Sequence, residues 1–331
     1  MNKYKALVVR ETDDGFTREI ETVGRDFLPD NDVLIEVKYA GLNYKDALSA
    51  SGNKGVTRNY PHTPGVDACG LVSESRDERF KPGQEVIVTS YDLGMNTNGG
   101  FATYISVPGD WIIPLPQGMS LKDSMIMGTA AYTAALALHK MEQCGQNPEM
   151  GEVIVTGASG GVGSMAVSIL KKGGYRVIAS SGKTEYYDWL KDIGAKRCVN
   201  REEVSDDSTR PLLSTAWAGA IDTVGGNTLS TLLKRCGRNG SVATCGLVAS
   251  PEFETTVFPF ILNGVNLLGI ESAETPYSLR KEIWKRLATD LKPDTLEKMV
   301  KWVSLEEIPS YMDEILEGET TGRVVCVIQN P

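Results

Sequence analysis

Histidine and paired cysteine, the residues that most often build metal sites, are scarce in this chain. Its 331 residues include only two histidines, His62 and His139, and six cysteines that form no C-x-x-C pair. A structural zinc cluster needs four such ligands, so the sequence argues against one, and a catalytic zinc site would have to be assembled from distant residues. The cysteines are expected to be free and mostly buried thiols. They are Cys69, Cys144, Cys198, Cys236, Cys245 and Cys326.

The chain also lacks an excess of positive charge, since its formal net charge is −9. This balance argues against nucleic acid or an anionic membrane as the main partner, but it leaves room for a local basic pocket that binds a phosphorylated ligand. No apolar run approaches the ~20 residues of a membrane-spanning helix, and the N-terminal apolar run is too short for a signal peptide. We therefore expect a cytoplasmic protein. With 41% hydrophobic residues, the chain can form one or two globular domains.

One segment carries the clearest functional signal. The β-branched run 153–156 is followed by a glycine-dense turn and an apolar, helical stretch. On the dinucleotide fingerprint the turn reads Ala158-x-Gly160-x-x-Gly163, in which Gly160 lets the backbone approach a pyrophosphate and Gly163 lets the helix pack close to the strand. Such a turn aims backbone N–H groups and a helix N-terminus at an anion. A second strand at 175–179 completes the βαβ unit. The context favours a dinucleotide site over a turn that is rich in glycine only for packing.

The end of that second strand bears on which dinucleotide binds. It reads Ser180-Ser181-Gly182-Lys183 and contains no acid. NAD-binding units usually place Asp or Glu here to hold the ribose 2′-OH. A carboxylate would repel a 2′-phosphate, whereas two hydroxyls and an ammonium can donate hydrogen bonds to it. The pattern favours NADPH. The alternative is that Lys183 is a solvated loop residue and that an acid such as Glu185 serves NAD instead.

The distribution of strands and turns predicts two domains. Up to about Asp123, short strands separated by turn signals indicate a small β-rich, barrel-like domain. A helix is predicted at 124–140. From Gly151 onward, strands alternate with helices, which is typical of a doubly wound parallel sheet. A last strand at 323–328 has no place in that sheet and is expected to return to the first domain.

Individual elements follow from the same pattern. Strands are predicted at 5–10, 32–39, 70–75, 85–89 and 102–107 in the first part, and at 153–156, 175–179, 197–199, 220–223, 241–245 and 266–270 in the second. Helices are predicted at 161–172, 184–193 and 229–235, and in the tail at 278–290 and 304–317.

Short motifs recur at defined places along this framework. They are Leu42–Leu48 (LNYKDAL), Asn59–Pro61 (NYP), Pro64–Asp67 (PGVD), Phe80–Val86 (FKPGQEV), Gly99–Ala102 (GGFA), Gly157–Ser164, Trp217–Gly225, Cys245–Leu247 and Phe258–Leu262. Together they resemble the medium-chain dehydrogenase/reductase superfamily over nearly the whole chain. The combination is similar to its zinc-independent branch of bacterial quinone oxidoreductase-like proteins, whose characterised relatives are NADPH-dependent acryloyl-CoA reductases.

The resemblance implies a fold and its domain limits. The fold class is α/β, with a doubly wound parallel Rossmann sheet and a β-rich GroES-like barrel domain. The catalytic GroES-like domain would span 1–124 and be completed by 275–331. The Rossmann dinucleotide-binding domain would span 125–274.

Two departures from the zinc alcohol dehydrogenases matter for the chemistry. Those enzymes carry Cys in the loop that here reads Gly41-Leu42-Asn43-Tyr44, and Gly-His-Glu where this chain has Gly65-Val66-Asp67. Val66 cannot ligate a metal, so no metal site is expected. Without a Lewis acid, an unactivated carbonyl loses several kcal/mol of oxyanion stabilisation. A conjugated acceptor is an easier target, because hydride adds at the β carbon and the charge spreads over an enolate or a quinol.

The resemblance also implies roles for individual residues. Tyr44 would face the nicotinamide and the substrate, where its phenol donates a proton or hydrogen bond or holds the carboxamide, unless it only anchors packing. Asp67 is expected to fix neighbouring backbone, His62 to lie at the surface and His139 to be a satisfied core residue.

The cofactor contacts come from the same resemblance. The pyrophosphate would be bound by Ser159, Gly160, Gly161, Val162, Gly163 and Ser164. The 2′-phosphate would be bound by Ser181, Gly182 and Lys183. Arg201 would meet the adenine or the same phosphate, Leu247, Ile261 and Ser272 would line the nicotinamide end, and Arg323 would close over the cofactor. The alternatives are core packing for Leu247 and Ile261, and a solvated charge for Arg201 and Arg323. The branch often has Arg in place of Lys183, so discrimination against NADH is expected to be weaker here.

The leading hypothesis is an NADPH-dependent, zinc-free reductase of a short α,β-unsaturated acyl-CoA such as acryloyl-CoA. The alternative within enzymes is an NADPH:quinone oxidoreductase, and the alternative from another class is a protein that binds NADPH without turnover. The apolar stretch 258–270, ending in a strand that could lie at a sheet edge, predicts a homodimer joined edge to edge, with ordinary core burial as the alternative.

Overall fold

The computed structural model describes residues 3–329, which form two compact units. The β-rich unit comprises residues 3–129, 273–282 and 299–329, and the α/β unit comprises residues 130–272 and 283–298. The domain limits expected from the sequence, near 124 and 275, stay a prediction. By compactness alone, the segment 283–298 lies in the α/β unit rather than with the tail.

Regular structure covers most of the described chain. The strands are β1 (Lys3–Thr12), β2 (Gly15–Gly24), β3 (Val33–Gly41), β4 (Asp67–Ser75), β5 (Glu85–Thr89), β6 (Tyr104–Val107), β7 (Ile112–Pro114), β8 (Glu152–Val155), β9 (Arg176–Ser180), β10 (Ala195–Val199), β11 (Trp217–Asp222), β12 (Cys236–Thr244), β13 (Asn266–Gly269), β14 (Val300–Ser304) and β15 (Arg323–Val327). The helices are α1 (Tyr44–Ala50), α2 (Leu121–Gln143), α3 (Gly161–Lys172), α4 (Tyr187–Asp192), α5 (Gly226–Arg235), α6 (Phe258–Asn263), α7 (Tyr277–Ala288) and α8 (Ile308–Leu316).

The β-rich unit is organised around strand β3. Its main sheet has the order β14-β15-β3-β4-β5-β7, with β6 paired to β3, and β1 and β2 form a separate antiparallel hairpin. Because successive side chains of a strand point to opposite faces, β3 contributes side chains to two hydrophobic clusters. One cluster contains Val33, Ile35, Val37, Val72 and Val86. The other contains Ala40, Leu42, Leu7, Val9 and Phe101.

Several predictions for this unit are confirmed and others are wrong. The strand predicted at 85–89 has the bounds of β5, and the last strand pairs with β3 and β14, which confirms its return to the β-rich unit. Strands β2, β7 and β14 were missed. The loop expected at Gly41–Tyr44 ends in the helix α1, which begins at Tyr44. The helix predicted at 304–317 begins with a short 3₁₀ turn and becomes α-helical only at Ile308.

The α/β unit confirms the predicted doubly wound sheet. Its six strands are all parallel and run in the order β10-β9-β8-β11-β12-β13. Numbered from β8, this is the order 3-2-1-4-5-6 of a dinucleotide-binding sheet, in which the strand order reverses between the first and fourth strands. Ligands of such sheets bind outside the carboxyl ends of the strands at that reversal. The candidate site therefore lies after β8 and β11.

Helix α3 shows why the local sequence produces this arrangement. Its bounds, Gly161–Lys172, are those predicted, and eight consecutive residues from Gly163 to Leu170 are buried. A helix that follows a parallel strand packs back on the sheet through such an apolar surface. The core of the sheet is formed by Ile154, Ile178, Ala220 and Val242, one from each of the four central strands.

Helix α2 is longer than predicted and is interrupted at Gly128, where φ is 49° and ψ is −156°. Such a backbone conformation favours glycine. His139 lies near the end of the helix, partly exposed, with its Nε2 3.0 Å from Gln143 Nε2. The prediction that His139 is a core residue is therefore wrong. Within residues 3–329, the structure contains no helix long and apolar enough to cross a membrane.

Candidate cofactor and active-site residues

The glycine-rich turn between β8 and α3 has the geometry that an anion site requires. Gly157 has a positive φ of 58°, and Gly160 N–H donates to the Gly157 carbonyl at 3.0 Å, which closes the turn. Gly160 is the N-cap of α3 and has no side chain to occupy the first N–H groups of the helix. A Cβ on Gly163 would collide with the Gly157 carbonyl oxygen. Helix α3 therefore approaches the turn closely, and its N-terminal N–H groups are available for a pyrophosphate.

A buried carboxylate, Asp222 at the end of β11, holds this turn in place. Its Oδ1 accepts hydrogen bonds from Thr156 Oγ1 at 2.6 Å and Val224 N at 3.1 Å, and its Oδ2 accepts one from Gly225 N at 2.9 Å. Thr244 Oγ1, at the end of β12, also donates to Oδ2 at 3.3 Å. One side chain thus ties together the carboxyl ends of β8, β11 and β12. Sequence reasoning did not identify Asp222, although its place in Trp217–Gly225 was noted.

The residues predicted to bind the 2′-phosphate come together at the end of β9. Ser159 Oγ and Ser181 Oγ are 3.0 Å apart, and both serines are buried. Lys183 N–H donates to Ser181 Oγ at 3.1 Å. The Arg201 side chain lies over Gly182, so closely that a Cβ at that position would be 3.3 Å from Arg201 Nε. Two hydroxyls and the Arg201 guanidinium therefore lie near the point where an NAD site carries its carboxylate, whereas the Lys183 ammonium lies over the ring of Tyr186, 5.8 Å from its centroid.

Of the residues predicted for the nicotinamide end, Leu247 follows β12, Ile261 lies on α6 before β13, and Ser272 follows β13. Leu247 is 62% exposed and Ile261, on α6, is 68% exposed, so the alternative that they are core residues is wrong. Ser272 Oγ accepts a hydrogen bond from Thr133 Oγ1 at 2.9 Å. Their contact with a cofactor stays a prediction.

Tyr44 begins the short helix α1 and is 45% exposed, which makes it one of the few large exposed ring side chains of the described chain. The residue before it, Asn43, is the N-cap, and Asn43 N–H donates to Asp46 Oδ2 at 2.7 Å. Asp46 Oδ1 accepts from the backbone N–H groups of Gly65 and Val66. The side chain of Asp46 therefore joins the start of α1 to the chain just before β4.

Burial raises the pKa of Asp46 to about 7, and the neighbouring Asp67 carboxylate adds to the rise. The three backbone N–H donors act in the opposite direction, because they stabilise the ionised form.

A second buried carboxylate, Asp67, forms an ion pair with Arg323 from β15. Asp67 Oδ2 lies 3.3 Å from Arg323 Nη2 and 2.8 Å from both Asn43 Nδ2 and Thr129 N. Arg323 Nη1 donates to the Leu42 carbonyl at 2.9 Å and to Asn43 Oδ1 at 3.1 Å. Asp67 thus fixes neighbouring backbone, as predicted. The guanidinium is bound within the β-rich unit and only 2% of the residue is exposed, which rules out a solvated charge. Its contact with a cofactor stays a prediction.

Two glycines make room for this pair. A Cβ at Gly41 would lie 2.7 Å from Arg323 Nη2, and one at Gly128 would collide with Asp67 Oδ2. The break in α2 at Gly128 is therefore part of the same arrangement, because it brings Thr129 N–H onto the carboxylate.

His62 is buried rather than at the surface, so the prediction for it is wrong. Its Nε2 is 2.9 Å from the Gly94 carbonyl oxygen, and its backbone pairs with Val9. Burial lowers the pKa of His62, which makes the neutral ring its resting form. A histidine beside a proline carries no sequence signal for burial, which is why this position was misjudged.

The part of the chain from residue 3 to residue 329 holds no group of three or more His, Cys, Asp or Glu side chains suited to a metal ion. Val66, which stands where zinc alcohol dehydrogenases have His, is buried, and in the loop where they carry Cys the side chain of Asn43 is bonded to Asp67 and Arg323.

Both units of the chain match known families, and the chain as a whole is similar to named oxidoreductases. Residues 29–117 match the family described as alcohol dehydrogenase GroES-like domain, and residues 161–289 match the family described as zinc-binding dehydrogenase. A Bacillus subtilis protein named quinone oxidoreductase YhfP is 47% identical over 97% of this chain and 98% of its own. Acrylyl-CoA reductase AcuI of Ruegeria pomeroyi is 42% identical over 97% of this chain and 98% of its own.

Solved structures extend the likeness to three dimensions. The structure of YhfP with NAD bound has a TM-score of 0.97 at 46% identity and covers 99% of this chain and 100% of its own. The structure of Escherichia coli YhdH with bound NADPH has a TM-score of 0.94 at 41% identity and covers 98% of this chain and 100% of its own.

Removal of metal ions should leave this protein unchanged, because the positions of the zinc ligands are filled by Val66 and by an asparagine that is already hydrogen-bonded. After exhaustive dialysis against a chelator, we expect the melting temperature and the affinity for NADPH to equal those of the untreated protein. Stoichiometric zinc in the purified protein, with a lower melting temperature after its removal, would contradict this prediction.

Proposed function

The chain belongs to the zinc-independent, quinone oxidoreductase-like branch of the medium-chain dehydrogenase/reductase superfamily, and from this premise we propose that it is an NADPH-dependent reductase of a short α,β-unsaturated acyl-CoA such as acryloyl-CoA. The observation that carries the proposal is the site around Tyr44. There an exposed phenol stands beside a closed network of Asn43, Asp67 and Arg323 in place of zinc ligands.

The chemistry follows from what this site can offer an acceptor. Hydride addition at the β carbon of an enoyl thioester places the negative charge on an enolate, which is delocalised before any protein group acts on it. A single hydrogen-bond donor suffices to stabilise such an enolate, whereas a simple carbonyl would need a stronger electrophile. We assign to Tyr44 the contact with the nicotinamide and the acceptor, with its phenol as the donor or, in a stronger role, as the source of the proton at the α carbon.

NADPH is proposed as the cofactor on the strength of this chain's own residues. The relatives differ, since the YhfP structure contains NAD and the YhdH structure contains NADPH. In this chain the side chains of Ser159, Ser181 and Arg201 and the backbone N–H of Lys183 come together at the end of β9, where no carboxylate is present in the segment 180–183. The proposed cofactor contacts are the six residues from Ser159 to Ser164 for the pyrophosphate, Leu247, Ile261 and Ser272 for the nicotinamide end, and Arg323.

Reduction of a quinone is the second candidate, supported by the name of YhfP and its 47% identity to this chain. It needs the same fold and hydride donor. A protein that binds NADPH without turnover is a third candidate, which the exposed phenol of Tyr44 disfavours.

A panel assay separates these candidates. NADPH oxidation should be followed with acryloyl-CoA, crotonyl-CoA and 1,4-benzoquinone under identical conditions. We expect kcat/KM to be higher for acryloyl-CoA than for the quinone. A preference for the quinone would favour the second candidate, and no oxidation with any acceptor would favour the third.

Replacement of Tyr44 by Phe removes the phenol and keeps the ring. If the phenol donates the proton, the rate of the chemical step should fall by roughly 10²–10⁴-fold with little change in NADPH affinity. The control is Tyr104→Phe, a tyrosine that packs edge-on against Tyr4 in the same unit. A near-normal rate combined with weaker NADPH binding would make Tyr44 a cofactor contact, with the proton drawn from solvent.

Replacement of Lys183 by Ala tests the choice of cofactor. Hydrogen bonds to a charged phosphate contribute about 1.5–3 kcal/mol each, so the wild type should prefer NADPH over NADH by at least roughly tenfold in kcat/KM. The variant should raise the KM for NADPH and leave the KM for NADH nearly unchanged. Lys171→Ala, an exposed lysine in the last turn of α3, is the control. Equal use of both cofactors by the wild type, with no effect of Lys183→Ala, would refute the assignment.

We further propose a cytoplasmic homodimer joined at strand β13. This strand is the last in the order of the sheet, and the structure describes no strand on its outer side. Seven of the eight large apolar side chains that the described chain exposes lie between residues 247 and 262, in the segment that joins β12 to β13. An unpaired edge flanked by apolar side chains suits a two-fold contact with a second copy.

The dimer proposal predicts that Leu262→Asp yields a monomer, because Leu262 is 51% exposed on α6 and a carboxylate would be desolvated at the contact. Light scattering coupled to size exclusion measures the mass of each variant. Thr17→Asp adds the same charge at an exposed polar position of β2, outside the proposed contact, and should remain dimeric. A wild type that is monomeric at all concentrations would overturn the proposal.

A further inference from the structure

We propose that Asn43 is a positioning residue, which couples the buried Asp67–Arg323 ion pair to the first turn of α1 and so holds Tyr44 in its working orientation. The inference rests on the proposed function, because it is there that Tyr44 is assigned to the nicotinamide and the acceptor. Asn43 is not among the residues that the sequence predicts to contact the cofactor or the acceptor.

The side chain of Asn43 uses both ends of its amide. Nδ2 donates to Asp67 Oδ2 at 2.8 Å and to the Gly41 carbonyl at 3.2 Å, and Oδ1 accepts from Arg323 Nη1 at 3.1 Å. A single amide group thus touches the anion and the cation of the pair at once. Because Tyr44 is the next residue along the chain, a shift of Asn43 moves the backbone of Tyr44 directly.

The ion pair is a rigid support for this contact. Both members are almost completely buried, with 0% of Asp67 and 2% of Arg323 exposed. Each is bonded to backbone as well: Asp67 Oδ2 accepts from Thr129 N, and Arg323 donates to the carbonyls of Leu42 and Ile126. Buried charges whose hydrogen-bonding groups are occupied have little freedom to reorient. The first turn of α1 is therefore attached to a fixed point.

The length of α1 explains why such a support is needed. The helix has only seven residues, and isolated helices shorter than about 12 residues are marginal in water. Its first residue, Tyr44, is also among its exposed residues, so packing alone gives that turn little restraint. Ordinary N-capping is the competing explanation, because Asn is a preferred N-cap residue wherever a helix begins.

Three substitutions separate positioning from capping. Asn43→Ala removes the amide and leaves the Asp67–Arg323 pair in place. Asn43→Ser keeps a preferred N-cap residue but shortens the side chain so that it cannot meet both members of the pair. Asn147→Ala is the matched control, because Asn147 is also an N-cap and its Nδ2 donates to the carbonyl two residues earlier, as that of Asn43 does.

We expect Asn43→Ala and Asn43→Ser to lower kcat with acryloyl-CoA to a similar extent, by about 10- to 100-fold, the size of effect that misplaced groups produce. The KM for NADPH should stay within about twofold of the wild-type value, and Asn147→Ala should behave as wild type. A wild-type kcat in Asn43→Ser, together with a lowered kcat in Asn43→Ala, would show that only N-capping matters. An unchanged kcat in Asn43→Ala would show that Asn43 does not position Tyr44. Either result overturns the proposal.

A double-mutant cycle tests whether Asn43 acts through Tyr44. If it does, Asn43→Ala should lower kcat several-fold less in the Tyr44→Phe background than in the wild type. An undiminished effect in that background would overturn the proposed coupling.

Hydrogen exchange separates failure of this inference from failure of the proposed function. Amides of residues 44–48 should exchange faster in Asn43→Ala and Asn43→Ser than in the wild type and Asn147→Ala, whether or not any acceptor is reduced. A wild type that reduces no acceptor would refute the proposed function, and the exchange rates would still show whether Asn43 holds α1. Unchanged exchange would overturn the inference even in an active enzyme.

Discussion

A buried guanidinium must find all its partners inside the protein, and in this chain that requirement organises the β-rich unit. Arg323 on the last strand is bonded to Asp67 at the start of β4 and to the carbonyls of Leu42 and Ile126. Together with Arg323 itself, these partners come from four separate parts of the sequence. An uncompensated buried charge costs several kcal/mol, so the four segments are held together around the pair. Gly41 and Gly128 are glycines because nothing larger fits beside it.

The α/β unit uses the same principle at its own functional end. Asp222 gathers the ends of β8, β11 and β12 by accepting hydrogen bonds from backbone and threonine hydroxyls. A buried carboxylate therefore shapes the turn that is proposed to bind the pyrophosphate. In each unit one buried acid fixes the backbone of a proposed ligand contact: Asp67 is bonded to Asn43 next to Tyr44, and Asp222 is bonded to Thr156 at the start of the glycine-rich turn.

What the sequence could predict was local. The turn 157–163, helix α3 and the absence of an acid after β9 are patterns within a few residues, and the structure reproduces them. Helix α1 was missed because seven residues are too few to show a helical period. The partnership of Asp67 with Arg323 spans 256 residues, and no periodicity reports it. Asp222 could not be identified from the sequence either, because nothing in the neighbouring residues indicates that an acid at the end of a strand is buried.

The central claim is that this chain transfers hydride from NADPH to the β carbon of a conjugated acyl-CoA without a metal. The most direct test supplies chelator-treated protein with acryloyl-CoA and NADPH deuterated at C4, on one face and then on the other, and analyses the product by mass spectrometry. The account predicts propionyl-CoA that carries deuterium at its β carbon for one face only, in equal amount to the NADPH oxidised. Unlabelled product from both faces, or activity that returns only when zinc is added, would contradict it.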